Sequence, residues 1–435
     1  MSRTFDALHV RNYRTFAAGS LLSNIGTWMQ RVAQDWLVLV VTGSAGALGL
    51  TTGLQFLPTL LFSPIAGVMA DRFSKRLILV WAQIAMGVTA LALAVLALTG
   101  VVEAWHIYVL AFVFGTGSAL EVPARQTFVN EMVDRDHMAN AVGLNSASFN
   151  LARMIGPAAA GGLISLLGSG VRATGWVILL NALSYVAVLV SLWRIHVDEL
   201  TPTRRLTTSK GQLREGLRYV RARPDIILVM AVVFCAGTFG LNFQMTTALM
   251  ATKVYAKGAG EYGVLGSIIA CGSLVGSLLA ARRAVSRQRL VIAAAAVFGL
   301  TEIVAGLMPS YLTFALVLPL CGVTALTTIT SANAFVQMSV DPEMRGRVMS
   351  LYMMIFMGGT PFGAPALGWI ADHFGARWTL TGGGALTVVG TLGAAAVLGR
   401  HQGVGLAARW DAGPHLQLVI RESQEAVEEV ASSKS

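Results

Sequence analysis

The stretch GVMADRFSKRLIL, residues 67–79, joins two long apolar runs and carries every charge between them. Gly67 has no side chain and so lets two helices approach closely. Asp71 stands where its carboxylate could cap the N-terminus of a neighbouring helix. A cationic cluster follows, formed by Arg72, Lys75 and Arg76. Two apolar helices joined by a short basic turn predict an integral membrane protein whose basic loops gather on one side of the bilayer.

The composition of the whole chain agrees with a membrane protein. Of its 435 residues, 55% are hydrophobic and only 12% are charged, and the mean hydropathy is +0.65. A soluble domain carries about 25% charged residues. A soluble core of this length would not hide so much apolar side chain, so we expect lipid to solvate much of it. The polar beginning of the chain predicts that no signal peptide is cleaved.

Twelve apolar segments are long enough to cross a bilayer, whose hydrocarbon core takes about 20 residues of helix. They lie near residues 15–41, 46–70, 77–99, 104–126, 138–167, 172–196, 225–250, 260–281, 290–308, 311–335, 347–371 and 377–399. The predicted organisation is a cytoplasmic N-terminus (1–14), a six-helix bundle (15–196), a cytoplasmic linker (197–224), a second six-helix bundle (225–399) and a cytoplasmic polar tail (400–435). The fold class is therefore an all-α integral membrane protein with twelve transmembrane helices in two pseudo-symmetric halves.

The lysines and arginines are distributed with a strong bias. With the N-terminus in the cytosol, 26 of the 32 fall on the cytoplasmic side and two lie inside predicted spans. Only Arg172, Lys253, Lys257 and Arg377 fall outside. Positive residues favour the cytoplasmic side, so we predict a multi-pass protein of the plasma or inner membrane with both termini in the cytoplasm. The net charge of +10 is spread over every inner loop, which argues against a nucleic-acid partner.

Two further patterns concern the linker and the repeat. Leu213, Leu217 and Val220 share one helical face with arginines around the rest, which predicts an amphipathic helix on an anionic membrane surface; a regulatory partner site is the alternative. A shift of 207 residues matches Gly115 to Gly322, Gly156 to Gly363 and Gly161 to Gly368, among others, and Ala45-Gly46-x-x-Gly49 matches Ala259-Gly260-x-x-Gly263. Two related halves predict a transporter with its substrate path between them and alternating access by rocking.

The stretch at 67–79 resembles the signature that the major facilitator superfamily carries between its second and third helices. That signature reads Gly-x-x-x-Asp-Arg-x-Gly-Arg/Lys-Arg/Lys, and Ser74 stands at its second glycine. The matching residues are Gly67, Asp71, Arg72, Lys75 and Arg76. The corresponding loop of the second half, ARRAVSRQRL, keeps the positive charge and lacks the aspartate. The resemblance covers about residues 10–400 and implies the major facilitator fold, with a gating role for the loop.

Three stretches are similar to the branch that contains the enterobactin exporter and bacterial drug exporters. They are GTWMQRVAQDWLVLVVTGSAGALGL (26–50), VPARQTFVNEMV (122–133, with Pro123 and Arg125 ending helix 4) and NLARMIGPAAAGGLI (150–164). The last resembles an antiporter signature ending Gly-Pro-x-x-Gly-Gly. Gly156, Pro157 and Gly161 match it, and Ala160 replaces one glycine. The resemblance implies proton-coupled export of a small molecule.

The first span carries a polar stripe. Asn24, Trp28, Arg31 and Asp35 recur at spacings of four, three and four, so they lie along one helical face. The resemblance implies that helices 1, 4, 7 and 10 line the central cavity, so the stripe would face water and substrate. Arg31 and Asp35 are one turn apart and are expected to neutralise each other. Asp35 is then either a fixed counter-ion or a proton carrier.

Other polar residues of the spans are weaker candidates. Glu121, near the end of the fourth span, is expected to be paired or titrating, with Arg153 as its partner; it is the second proton-coupling candidate. Glu302 is expected to snorkel to the outer surface. The residues predicted to line the second-half side of the cavity are Asn242, Gln244, Asn333 and Gln337, with packing hydrogen bonds as the alternative.

Enzyme chemistry and cofactors are not indicated. Asp134 and His137 could suggest a metal or catalytic cluster, but the repeat partner of this segment begins at Asp341 and lacks the histidine, so helix N-caps are expected. The isolated cysteines read as small hydrophobic residues rather than metal ligands. No phosphate-binding loop is present, so an ion gradient or the substrate's own gradient must supply the energy. We predict a proton-coupled exporter of a small amphipathic compound, drug or siderophore-like, that functions as a monomer; a metabolite facilitator or importer, or a non-transporting sensor or scaffold, is the alternative.

Overall fold

The computed structural model describes residues 3–201, 212–281, 287–401, 404–409 and 415–420, and nearly all of them are helical. After a short 3-10 helix, Arg3–His9, the first half contains six long helices. They are α1 (Arg11–Thr42), α2 (Ala45–Arg72), α3 (Lys75–Thr99), α4 (Ala104–Met132), α5 (Arg135–Leu166) and α6 (Val171–Trp193). A second short 3-10 helix, Val197–Glu199, follows α6.

The second half is more interrupted. Its helices are α7 (Gln212–Arg221), α8 (Pro224–Cys235), α9 (Phe243–Leu249), α10 (Ala259–Ala281), α11 (Gln288–Leu307), α12 (Tyr311–Ser339), α13 (Arg345–Gly358), α14 (Thr360–Phe374) and α15 (Arg377–His401). π-helical segments at Ala236–Gly240 and Met250–Val254 connect α8 and α9 into one long run. Two antiparallel strands, β1 (Val404–Arg409) and β2 (His415–Ile420), pair Val404 with Ile420. The sequence predicts only a polar tail there, and no local pattern indicates either strand.

Nine helical segments of the described chain are long and apolar enough to cross a membrane. The predicted first, fifth and eleventh spans are helical but fall outside this set. Polar side chains along α1 and α5 lower their hydropathy, and the eleventh span is divided at Gly359 into α13 and α14. The fold is that of an all-α membrane protein, whereas the number of twelve crossings stays a prediction.

The helix ends explain several polar residues. Asp134 is the N-cap of α5, as predicted: its carboxylate accepts from the backbone N–H of His137 at 3.2 Å and from that ring's Nδ1 at 2.5 Å. The side-chain hydrogen bond lowers the pKa of Asp134 and raises the pKa of His137. The prediction for Asp341 was wrong, because α13 begins at Arg345 and the Asp341 carboxylate accepts instead from the Tyr219 hydroxyl at 3.1 Å.

The two halves meet along two helix pairs, α2 with α14 and α5 with α10. In the first pair, Gly368 packs directly against Ala45, since an added Cβ would lie 2.6 Å from the Ala45 carbonyl oxygen. Gly49 packs equally closely against the carbonyl of Ala364. Glycine on each helix therefore allows the backbones to touch.

The second pair repeats this arrangement with the residues that the internal repeat relates. Gly161 packs against the backbone of Ala259 and Gly263, and Gly263 packs against the carbonyl of Pro157. The match of Gly161 to Gly368 therefore corresponds to equivalent positions in two equivalent contacts. The repeat glycines are contact points between the halves.

The contacts between the halves are unevenly distributed along the helices. We call the end that holds Arg11 and His401 the termini end and the opposite end, with Gly43 and Gly375, the far end. In the part of the chain that the structure describes, the hydrogen bonds between the halves lie at the far end and in the middle, where Arg153 donates to Ser273 at 3.2 Å. Towards the termini end many side chains of α5 are exposed, and Phe149, in its fifth turn, is 41% exposed. The structure is thus closed at the far end.

Candidate functional site

A cavity of about 70 Å³ lies inside the first half, between α1, α3, α4, α5 and α6. It has room for a few water molecules but not for a drug-sized ligand, whose pockets measure about 300–1,000 Å³. Its walls combine aromatic rings with polar and charged groups. The lining residues are Phe16, Ser20, Ser23, Asn24, Thr27, Trp28, Arg31, Leu79, Gln83, Met86, Phe114, Ser118, Glu121, Val122, Arg125, Phe149, Tyr185 and Val188.

A charged group on α4 connects to the polar stripe of α1. Arg125 pairs with Glu121 one turn earlier, Nε to Oε1 at 3.1 Å, and its Nη1 donates to Oδ1 of Asn24 at 2.8 Å. The prediction that Arg153 is the partner of Glu121 was therefore wrong. The i,i+4 spacing on α4 brings a closer arginine to the carboxylate. Arg125, predicted to end helix 4, lies within α4, and its side chain lines the cavity.

Two arginines surround Trp28. The guanidinium carbon of Arg31 lies 4.9 Å from the centroid of the Trp28 ring and 5.7 Å from that of Phe56. The guanidinium carbon of Arg153, from α5, lies 5.8 Å from the same Trp28 ring. Among the side chains that the structure describes, no carboxylate forms an ion pair with Arg31, and its buried Nε has no hydrogen-bond acceptor. Arg31 and Asp35 attract each other across one helical turn, as expected, but they form no direct ion pair.

Asp35 makes a different contact. It is buried, and its Oδ2 accepts a hydrogen bond from the Tyr262 hydroxyl at 2.9 Å. Tyr262 belongs to α10, so this bond joins the first half to the second. The sequence analysis missed Tyr262, because the two residues are 227 positions apart and nothing local marks the tyrosine. Asp35 lies beyond the lining of the cavity, one turn further along α1 than Arg31.

The antiporter-like motif of α5 packs against both Trp28 and α10, the helix that carries Tyr262. An added Cβ on Gly156 would lie 2.5 Å from the Cβ of Trp28, so this glycine seats the ring against α5. Pro157 and Gly161 contact α10 instead. The motif therefore determines how closely α5 approaches both the polar stripe and the second half.

The basic cluster after α2 is used within the first half. Lys75 pairs with Glu131 at 2.9 Å, and Arg76 Nε donates to the carbonyl of Leu192 at 2.8 Å, at the C-terminus of α6. A cation at this position is stabilised by the negative end of the helix dipole. Arg72 is exposed. The side chain of Asp71 and the surroundings of Gly67 lie outside the described residues, so the gating role of this motif stays a prediction.

A carboxylate at the far end was missed. Asp372, near the end of α14, accepts from the backbone N–H of Ala45 and Gly46 and from the Ser44 hydroxyl, each at 2.8 Å. It caps the N-terminus of α2 from the other half, and we call this contact the far-end latch. Lys253 Nζ adds a bond of 2.7 Å to the carbonyl of Gly43. The signal was present in the sequence, since GWIADHF (368–374) echoes GVMADRF (67–73).

All described residues that line this cavity belong to the first half, and the polar residues predicted in the second half are not among them. Asn242 is buried and donates to the carbonyl of Thr238 at 2.9 Å, while Gln244 keeps a buried Nε2 without a partner. Gln337 donates to Asn333 near the termini end of α12. These four residues stay predictions as substrate contacts.

Glu302 and the linker helix also differ from expectation. Glu302 does not snorkel: it is 1% exposed, and its Oε2 has no hydrogen-bond partner. Burial of an ionised carboxylate without a partner would be costly. The amphipathic α7 packs against α13, with Glu215 paired to Arg347 at 2.8 Å and Val220 buried. It contacts the second half, rather than resting on the membrane alone.

In the described ranges, no group of three or more His, Cys, Asp or Glu side chains could hold a metal ion.

Comparisons with known proteins give a consistent result. The family described as transmembrane secretion effector matches residues 2–422. Macrolide efflux protein A of Streptococcus pyogenes is 22% identical over 382 residues, covering 85% of this chain and 92% of that protein. The staphyloferrin A transporter of Staphylococcus aureus is 23% identical, covering 83% and 89%. The multidrug efflux pump Tap of Mycolicibacterium fortuitum is 29% identical, covering 84% and 90%.

Solved structures share the fold at lower identity. A bacterial homolog of the human lysosomal transporter Spinster, inward-facing and occupied, has a TM-score of 0.69 at 16% identity, covering 89% of this chain and 96% of that one. A bacterial homologue of the iron transporter ferroportin, also inward-facing, has a TM-score of 0.69 at 14% identity, covering 90% and 98%. At these identities the likeness concerns the fold.

Proposed function

The chain belongs to the transmembrane secretion effector family of the major facilitator superfamily, and we propose that it exports a small amphipathic organic compound in exchange for protons. It is a membrane transporter of small molecules and not an enzyme. The relatives named for macrolide efflux, multidrug efflux and staphyloferrin A transport support export of a drug or siderophore-like compound.

We further propose that the protein lies in the plasma or inner membrane with both termini in the cytoplasm. The bias of lysine and arginine supports this orientation. The termini end is then the cytoplasmic end, and the far-end latch closes the path to the outside. The described conformation corresponds to the state that loads substrate from the cytoplasm.

The observation that carries proton coupling is the hydrogen bond between Asp35 and Tyr262. Asp35 is a buried carboxylate, and its partner lies on the opposite half of the molecule. Opening of the far end must separate α1 from α10. The hydrogen bond from Tyr262 to Asp35 is then broken, and water from the outside replaces the tyrosine as the donor. A charge-assisted hydrogen bond is about twice as strong as a neutral one, so protonation of Asp35 weakens its preference for Tyr262. Protonation and opening are thereby linked.

The proposed cycle follows from this link. In the cytoplasm-facing state Asp35 gives up its proton, accepts from Tyr262, and substrate enters. After the halves rock, Asp35 faces the outside and takes a proton as substrate leaves. Each proton that enters down a potential of 100 mV supplies about 2.3 kcal/mol, a useful share of the work of concentrating a substrate outside. Glu121 is the second candidate carrier, but its pair with Arg125 favours a structural role.

An accumulation panel tests the function. Labelled macrolides, other drugs and siderophores are supplied to a pump-deficient bacterium with and without the protein, in the presence and absence of an uncoupler. We expect accumulation of at least one compound to fall when the protein is present, and the uncoupler to abolish the difference. Raised accumulation would indicate the importer or facilitator, and no change for any compound would favour the sensor or scaffold.

A further inference from the structure

Two positive charges, both partly buried, lie beside one aromatic ring of the site. Arg31 and Arg153 both approach Trp28, at 4.9 Å and 5.8 Å from its centroid. Arg153 donates to the neutral hydroxyl of Ser273, and Arg31 Nε has no acceptor among the side chains that the structure describes. The cation–π contacts attract both side chains to the ring but neutralise neither.

The acids near the cavity are already engaged. Glu121 is paired with Arg125. Asp35 accepts from Tyr262 and lies one turn away from Arg31, so it can offset at most one of the two guanidinium charges. When the proposed cycle protonates Asp35, even that charge is lost. Among the groups that the structure describes, the site therefore has an excess of positive charge in every protonation state of Asp35.

Arginine cannot relieve this imbalance by itself. A buried carboxylate such as Glu302 can become neutral by binding a proton, whereas a guanidinium group stays protonated in proteins. An unpaired buried charge costs several kcal/mol. An anion that enters the site would offset that cost and gain charge-assisted hydrogen bonds from the planar guanidinium fork.

We propose that the transported compound is an organic anion, with a carboxylate that binds Arg31 and an aromatic or flat apolar body. This assignment rests on the proposed function and specifies its substrate class. Arg31 lines the cavity, and its guanidinium group has no carboxylate partner among the described side chains, so it can bind the carboxylate of a ligand there. Phe149, which lines the cavity and is 41% exposed, offers an aromatic surface to the apolar body at the edge of the cavity. The cavity volume of about 70 Å³ accommodates the acid group rather than the whole molecule.

Arg153 strengthens the preference for an anion without lining the cavity. Its guanidinium group approaches Trp28 from α5, and its bond to Ser273 ties it to the second half. An anion at Arg31 is therefore attracted by a charge that bridges the two halves. Arg153 acts as a positioning residue, and Arg31 contacts the substrate.

A series of three probes with one ring system tests the assignment. Binding of 1-naphthoate, 1-naphthamide and 1-naphthylmethylammonium to the purified full chain is measured by equilibrium dialysis at neutral pH. We expect naphthoate to bind about ten-fold more tightly than the amide, since a hydrogen bond to a charged group contributes about 1.5–3 kcal/mol and 1.4 kcal/mol is ten-fold. The cation should bind most weakly.

Variants separate the two arginines. Arg31→Gln should reduce naphthoate affinity about ten-fold and leave amide affinity unchanged, and Arg153→Gln should reduce naphthoate affinity by a smaller factor. Arg172→Gln, which removes an exposed arginine on α6, should change neither. If Arg31→Gln does not fold, Arg31→Lys keeps the charge without the fork and should retain part of the preference.

The results that overturn the assignment are distinct from failure of export. Equal binding of the three probes, tighter binding of the cation, or no binding of any probe would each reject an anion site. The export proposal would survive if the accumulation panel found an uncharged or cationic compound to be pumped. A preference for naphthoate with no export of any compound would instead leave the anion site and reject export.

Discussion

Asp35 and Asp372 are carboxylates that contact the opposite half of the molecule, and each does so in a different way. Asp35 is buried and has one donor, Tyr262. Asp372 is exposed and has three donors around the N-terminus of α2. A single buried bond suits a group that must gain and lose a proton, whereas three bonds suit a latch.

The first prediction concerns Asp35→Asn. Asparagine is neutral and nearly isosteric, so we expect the protein to insert, to fold and to bind substrate. Because it has no carboxylate to carry a proton, uphill export should fall to the background rate, while downhill counterflow of substrate should continue. Counterflow in proteoliposomes and proton-driven uptake in everted vesicles measure the two activities. If Asp35→Asn exports uphill at the wild-type rate, another acid carries the proton, and Glu121 is the next candidate.

The second prediction concerns the far-end latch. Asp372→Asn removes the charge that faces the N-terminus of α2 and one of the two acceptor oxygens, and such a charge contributes up to about 2 kcal/mol. We expect amide hydrogen exchange in residues 43–50 to become about ten-fold faster, since 1.4 kcal/mol is ten-fold. Ser165 occupies the position that the repeat relates to Asp372, and Ser165→Ala is the matched control. An unchanged exchange rate in Asp372→Asn would show that the carboxylate does not hold the far end.

The sequence predicted the spacing of the polar stripe but not its partners. Asn24, Trp28 and Arg31 share a face because helical periodicity is a local property. The contact of Asp35 with Tyr262 depends on how the two halves pack. Glu121 pairs with Arg125 rather than Arg153 because the Arg125 side chain reaches it within α4. These features need three-dimensional distances that no local pattern contains.

At the scale of elements, four helices connect the halves through glycine. The pairs α2 with α14 and α5 with α10 are contacts at which a backbone carbonyl faces a glycine. Small residues make such approaches possible in a membrane, where packing rather than the hydrophobic effect holds helices together. The helices therefore contact closely while retaining room to rock.

The third prediction uses two adjacent glycines of α5. A Cβ on Gly161 would lie 2.9 Å from the Cα of Gly263, whereas a Cβ on Gly162 would meet nothing within 4 Å. We expect Gly161→Ala to push α5 and α10 apart, to cost about 1–3 kcal/mol and to reduce transport. Gly162→Ala should be tolerated, because alanine favours the helix by about 0.5–1 kcal/mol. Thermal unfolding and transport would be measured for both; equal behaviour of the two variants would contradict the close contact.

Element boundaries were predictable only where the chain signals them locally. Gly43, at a positive φ of 65°, ends α1, and Ser44 caps α2, so this turn follows from residue types. Residue types do not predict the break between α13 and α14, nor the π-helical segment at Ala236–Gly240. The break and the π-helical segment lie against each other, since Gly363 packs against Thr238. Tertiary contact therefore determines both irregularities.

At the scale of the whole molecule, the fourth prediction concerns orientation. Reporter fusions at Lys210 and after Arg400 should report the cytoplasm, and a fusion at Gly100, in the exposed turn after α3, should report the outside. The physical reason is the bias of basic residues towards the cytoplasmic side. An independent check is treatment of intact cells with an external protease, which should cleave only the Gly100 fusion. An external signal from the Lys210 fusion would contradict the orientation and the twelve crossings together.

The whole-molecule account combines a shared fold, a closed far end and a carboxylate that joins the halves. The family match covers residues 2–422, so the general class of activity does not rest on any one residue. The residue-level claims concern what couples the halves to an ion gradient. Asp35, Tyr262 and the far-end latch are the groups that must change partners when the molecule opens.

Proton coupling is best measured as transport against a gradient by the purified protein. The compound with the largest effect in the accumulation panel is supplied to proteoliposomes, and the pH gradient is imposed, abolished or reversed. The account predicts that protons leaving the lumen through the protein concentrate the compound inside it, that collapse of the gradient stops this accumulation, and that Asp35→Asn shows none. Accumulation that is independent of the pH gradient, or that is undiminished in Asp35→Asn, would contradict proton-coupled export through this carboxylate.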